Sequence, residues 1–261
     1  MSNLQSRLDS ISQNGYNFKL GNYISQGFNI LGKNAGLFVI YFCVCIVIYI
    51  VLGAIPLLGS LVSFLISSSL VAGFYIVAGK TFNNENATFA NFFDGFNVWA
   101  QLLLTSIIGG LLSVLAILPA MFYLIITIGF AGLTEINDFS DSPLGVLTGA
   151  NLFIVFILFF LGAMVSLLFI YAPLFVYFEK LSAWDAIIAS AKVVSKNIFM
   201  HILFGIAWFF IMVVSVIPLG LGLLAAIPAY FCSVYAAWND ITGYTKEEID
   251  DEDDILRHLI D

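Results

Sequence analysis

Few side chains in this sequence have the chemistry for catalysis or ligand coordination, and their positions limit what they could do. There are two histidines, His201 and His258. His201 follows Lys196 and Asn197 at the start of a long apolar run, where an imidazole could pass a proton at a membrane border but more often serves as a structural or interfacial residue. Asp240 closes the last apolar run at the same kind of border and reads as a helix-end charge. Asn151 is the most interior polar amide, suited to an interhelical hydrogen bond more than to a substrate. Trp184, Lys192 and Lys196 share one amphipathic stretch, whose lysines can meet anionic lipid.

These residues do not add up to a reaction. A metal oxygenase needs several His or carboxylate ligands converging, and a Ser-His-Asp hydrolase needs a nucleophile elbow that is absent here. Proton-coupled transport wants a carboxylate inside the membrane, and the apolar runs contain none. Cys43, Cys45 and Cys232 stand within apolar runs, and their Cys-x-Cys pair lacks the companions of a zinc site. The expectation is a non-enzymatic chain with no metal and no cofactor.

The elements that hold these residues are apolar helices. Of 261 residues, 61% are hydrophobic and only 10% are charged, far outside the usual soluble composition. Runs free of Asp, Glu, Lys and Arg cover Asn34 to Gly79, Gly95 to Thr134, Ser142 to Phe178 and Asn197 to Asn239, each too long for one crossing or for a soluble core helix. The fold class expected is an all-α, polytopic membrane helical bundle of six transmembrane helices. They form three tandem hairpins, about 34–80, 98–179 and 197–240, each preceded by an amphipathic interfacial helix. Residues 1–17 are a polar N-terminal segment, poorly ordered or loosely helical, and 18–243 are the single membrane domain. No signal peptide is expected at the start, so the first crossing acts as the insertion signal. Residues 244–261 form an acidic tail, with seven acids between Glu247 and Asp254 that supply most of the net charge of −8 and imply no nucleic-acid partner.

The clearest segment starts at Ser182. Ser182 and Asp185 have the form of a capping box, after which Trp184, Ile187, Ile188, Ala191 and Val194 recur at helical spacing. This helix fits two placements, in the headgroup layer or as a packing helix at the end of the bundle. A crossing from Ile198 follows, then Pro218 with Gly220 and Gly222 in a tight turn, then a return containing Pro228. Pro56 marks the same kind of turn in the first hairpin. The middle arms, 98–134 and 143–178, are oversized for one crossing each. Pro119 is expected to kink the first, and a second version with eight crossings splits the arms near Pro119 and Gly162.

A repeat underlies this pattern. Asn34 precedes Pro56 by 22 residues, Asn97 precedes Pro119 by 22, and Asn197 precedes Pro218 by 21. All nine Lys and Arg residues fall on one side of the six-crossing arrangement, so both termini are expected to be cytoplasmic at an inner membrane.

The run YAPLFVYFEKLSAWDAIIASAKVVSKN, followed by IPLGLG, Pro228 and YAAWND, resembles the characteristic half of a group of uncharacterised bacterial six-helix membrane proteins. That group is similar to the membrane domain ahead of the catalytic domain in some glycerophosphodiester phosphodiesterases. The resemblance covers the last third of the chain and, loosely, the first hairpin. It implies the fold and an inner-membrane location, and it supplies no catalytic residues. Three functions follow as expectations: a membrane-organising protein that binds lipids or a membrane or cytoplasmic partner, a permease or channel for a small neutral or amphiphilic solute, and a lipid-modifying enzyme.

Overall fold

Apolar stretches fold as helices because lipid leaves backbone amides no other partner. The computed structural model describes residues 2–134 and 149–245, with side chains described over 4–127 and 153–245, and it is all-helical, with no strand among the described residues. In chain order the helices are α1 (Ser2–Asn14), α2 (Leu20–Lys33), α3 (Ala35–Gly53), α4 (Leu58–Phe82), a 3-10 helix (Phe89–Val98), α5 (Trp99–Thr134), α6 (Gly149–Leu167), α7 (Ala172–Tyr177), α8 (Ala183–Lys196), α9 (Ile198–Val216) and α10 (Leu223–Thr242). The expected acidic outer loop and most of the acidic tail lie outside the described residues.

Among the described residues, five segments are long and apolar enough to cross a membrane: Ala35–Gly53, Leu58–Phe82, Phe89–Thr127, Phe153–Tyr177 and Ile198–Val216. Their surfaces carry bare apolar side chains such as Val47, Ile50, Leu115, Phe156, Phe209 and Val214, as a lipid-facing surface requires. The expected sixth crossing, α10, is not among them. Its second half carries Tyr235, Trp238, Asn239 and Asp240, and it is largely buried, packed by α2, α3, α4 and α9. Protein, more than lipid, surrounds it.

The first and third expected hairpins share local geometry. Between α2 and α3 the chain bends at Asn34 (φ −137°, ψ 37°), and between α8 and α9 it bends at Asn197 (φ −143°, ψ 45°). Each Asn amide donates to the carbonyl three residues back, Leu31 and Val194 respectively, at 3.1 Å. At the far ends, Pro56 is followed by Leu57 with φ 61°, and Pro218 by Leu219 with φ 54°. The turn amides of Leu58, Gly59, Leu219, Gly220 and Leu221 all find carbonyls within the turns. Leu57 and Leu219 project outward, 87% and 96% exposed, in line with the apolar faces below them.

The middle region departs from that pattern. The 3-10 helix runs straight into α5 with no bend at Asn97, and α5 stays helical through Pro119. α6 likewise continues through Gly162, where Ile117 of α5 occupies the space a Cβ would need. The chain breaks instead at 168–171, before α7. Pro173 sits in the first turn of α7, and a proline disfavours helix in the residue before it and has no N–H to continue the ladder. Ser190 of α8, wholly buried, bridges the break: its hydroxyl donates to the Leu168 carbonyl at 2.6 Å and accepts from the Tyr171 amide at 3.1 Å.

The N-terminal segment is also more structured than its composition suggests. Leu4, Leu8 and Ile11 recur at helical spacing, and all are buried as α1 packs on α8. Three further amphipathic segments each dock on the end of another helix: α2 on α10, the 3-10 helix on α4, and α8 on α7.

Candidate functional site

The polar residues gather at one end of the bundle, where the amphipathic segments meet the helix ends. His201 is wholly buried one turn beyond the Asn197 bend. Its Nδ1 lies 3.0 Å from the Asn197 carbonyl and its Nε2 lies 3.1 Å from the Tyr171 hydroxyl. A carbonyl only accepts, so Nδ1 carries the hydrogen and Nε2 accepts from Tyr171. Phe18 and Tyr171 close over the ring at 4.7 and 5.5 Å between centroids. With both nitrogens engaged, the imidazole locks α7 to the start of α9 and leaves no lone pair for a ligand. Tyr171→Phe removes the donor to a buried acceptor and should cost about 2 kcal/mol. A midpoint in thermal unfolding unchanged from wild type would show that this hydrogen bond is not formed.

Asp240 lies in the last turn of α10, where the helix dipole disfavours a negative charge. Lys19 offsets it, with Nζ 3.0 Å from both carboxylate oxygens, and the Tyr23 hydroxyl donates to Oδ2 at 2.8 Å. Burial, reinforced by this carboxylate, pushes the Tyr23 phenol well above its ordinary range, so it stays a donor. Burial raises the Tyr16 phenol too, and that hydroxyl donates to the Val193 carbonyl at 2.9 Å. His201 and Asp240 do not converge on a common point. The Phe18 ring packs on both His201 and Tyr23 and so lies between the two sites.

The other expected residues are dispersed. Trp184 is 56% exposed, and Lys192 and Lys196 are exposed on α8. Asn151 lies in α6, with its side chain outside the described residues. Pro56 and Pro218 stand in turns, whereas Pro119 and Pro228 lie inside continuous helices and break neither. The Ser182 hydroxyl accepts from the Asp185 amide at 3.3 Å and donates to the Asp185 carboxylate at 2.7 Å, so the carboxylate serves the hydroxyl and not a second backbone amide. Gln101 of α5 instead supplies the acceptor for the Ala183 amide at 3.0 Å. Cys43, Cys45 and Cys232 are all free, and no metal-holding group of three His, Cys, Asp or Glu occurs among the described residues.

Several contacts at this end escaped the sequence reading. Arg7 of α1 pairs with Glu179 at 2.8 Å and donates to the Thr242 carbonyl at the end of α10 at 3.0 Å. Lys33 donates to the Asn84 side chain at 2.7 Å, and Asn34 to the Thr81 hydroxyl at 3.0 Å. Each joins residues far apart in the chain, and only the stripe of α1 could have pointed to one of them.

Besides a cavity of about 180 Å³ lined by Lys80, Asn83, Glu85 and Tyr177 among others, two cavities of equal volume flank this end. One, of about 250 Å³, lies between α1 and α8 and has charged groups in its wall. The other, also about 250 Å³, lies between α6 and α9 and is almost entirely apolar, lined by Phe160, Met164, Leu167, Ile202, Ile206 and Phe209 among others. Comparison with family models, curated proteins and solved structures found no match.

Proposed function

We propose that this chain is a non-enzymatic integral membrane protein of a bacterial inner membrane that organises lipids, or lipids together with a protein partner, at the cytoplasmic face. The observation that carries this reading is the layer of amphipathic segments at one end of an apolar bundle. They pack on the helix ends, α1 packs on α8, Trp184 and the α8 lysines are left exposed as suits a headgroup layer, and no catalytic groups converge on a common point among the described residues. The apolar α6–α9 groove favours an acyl chain over a polar solute.

In this reading the fold is six crossings in three tandem hairpins, with α10 as the enclosed sixth, and it belongs with the six-helix group that its last third resembles. The repeated Asn bends and Pro-Leu turns support a repeat. So does the packing order. Each amphipathic segment docks on the returning arm of the preceding hairpin, the 3-10 helix on α4 and α8 on α7, while α2 on α10 closes the ring from first to last.

Native mass spectrometry of the protein in mild detergent tests the function. Retained phospholipid or a stoichiometric protein partner is the expected result, and a bare monomer that carries neutral solutes across liposomes would replace this reading with a permease. Orientation is tested separately with single cysteines in a background lacking Cys43, Cys45 and Cys232. Ser140→Cys should react with an impermeant maleimide on intact cells, and Lys196→Cys only after permeabilisation. The reverse pattern would invert the topology.

A further inference from the structure

The cavity between α1 and α8 has a composition of its own. Asp185, Ile188, Ala189 and Lys192 stand on one side of α8, because steps of three, four and seven residues return to the same face. Leu4, Gln5 and Leu8 of α1 form the opposite wall. Asp185 and Lys192 are two turns apart, about 10.5 Å along the axis, with Ile188 and Ala189 between them. They make no ion pair with each other. The Asp185 carboxylate takes the Ser182 hydroxyl through Oδ2, and Asp185 lines the groove. Beside the groove Trp184 and Ile188 are exposed, 56% and 39%, as expected of side chains that meet a lipid interface.

We propose that this groove binds the headgroup of a zwitterionic aminophospholipid such as phosphatidylethanolamine, with its phosphate on Lys192 and its primary ammonium on Asp185. The site deepens the lipid-binding reading above and rests on it. The groove presents one negative and one positive group, so a ligand of net zero charge with both signs gives each a partner. An anionic headgroup would leave Asp185 facing a like charge. A quaternary choline has no N–H to donate to the carboxylate, whereas a primary ammonium has three. Leu4, Leu8 and Ile188 then offer apolar contact for the glycerol and upper acyl carbons. That contact selects the lipid over free glycerophosphoethanolamine.

The test uses the full chain in nanodiscs of equimolar phosphatidylethanolamine, phosphatidylcholine and phosphatidylglycerol, released for native mass spectrometry. Wild type should retain phosphatidylethanolamine about fivefold over either competitor. Asp185→Asn keeps an acceptor for Ser182, and it should bring the ethanolamine-to-choline ratio close to one without changing the thermal midpoint. Lys192→Gln should lower retention of both. Millimolar glycerophosphoethanolamine should not displace the lipid; displacement would overturn the lipid as ligand. Retention without headgroup preference, or a preference that survives Asp185→Asn, overturns this site and leaves the broader reading standing. Retention of no lipid at all overturns both.

Discussion

Gly27→Val should lower the thermal midpoint of the detergent-solubilised protein by about 8 °C, while Gly21→Ala and Gly32→Ala raise it by about 2 °C each. All three glycines lie on α2, and helix propensity alone would make every one of these changes neutral or favourable. Contact decides otherwise at Gly27. A Cβ there would run into the Ser233 hydroxyl of α10 and come within 2.7 Å of the Ala229 carbonyl, which is backbone and cannot swing aside. Ser233 is held too, its hydroxyl donating to that same carbonyl at 2.9 Å. Valine would therefore push α2 off α10, and Lys19 and Tyr23 would lose their hold on Asp240. The cost belongs at the upper end of overpacking, about 3 kcal/mol. Nothing lies within 4 Å of a Cβ at Gly21 or Gly32, so there alanine only restricts the unfolded chain. A Gly27→Val protein as stable as wild type would mean that α2 does not dock on α10, and the proposed ring closure would fall with it.

The sequence was most legible where the physics is local. Charge-free runs long enough to cross, the Pro-Leu turns and the Asn34 and Asn197 bends follow from residue type and spacing alone. Three features depend on contacts between distant residues and were not legible. The break before α7 needed Pro173 to weaken the helix, but it also needed Ser190, some twenty residues on, to satisfy the freed groups. Composition obscured α1, because the polar positions between Leu4, Leu8 and Ile11 read as a polar segment, poorly ordered or only loosely helical. Hydropathy measures how a residue partitions and not which neighbour it meets, so it could not tell that α10, the least apolar of the expected crossings, is the most enclosed. The candidate site divides in the same way. His201 and Asp240 were found from their scarcity, but their partners Tyr171, Phe18, Lys19 and Tyr23 come from other elements, and only folding shows that those partners keep the two apart.

Two of the three tryptophans of the last third, Trp184 and Trp238, carry that distinction to its largest expected effect. By sequence Trp184 and Trp238 both suit either an interfacial belt or the bundle interior, yet one is 56% exposed and the other is wholly buried. The Trp238 ring touches Phe175, Phe178, Tyr235 and Tyr244, with centroids 5.1 to 6.0 Å apart. It thereby joins α10 to α7 and to the chain that leaves α10. Trp238→Ala should cost about 4 kcal/mol and lower the thermal midpoint by about 12 °C, because the enclosing rings cannot collapse far into the gap. Its indole N–H has no hydrogen-bond partner among the described residues, so Trp238→Phe removes area but no bond and should cost only about 1 kcal/mol. Trp184→Ala removes a side chain more than half exposed and should leave the midpoint in detergent within about 1 °C. A graded series at 238 beside a flat result at 184 places the core at the end of α10. Equal losses at both positions would mean that α10 is not the helix the others enclose, and the proposed sixth, protein-surrounded crossing would have to be abandoned.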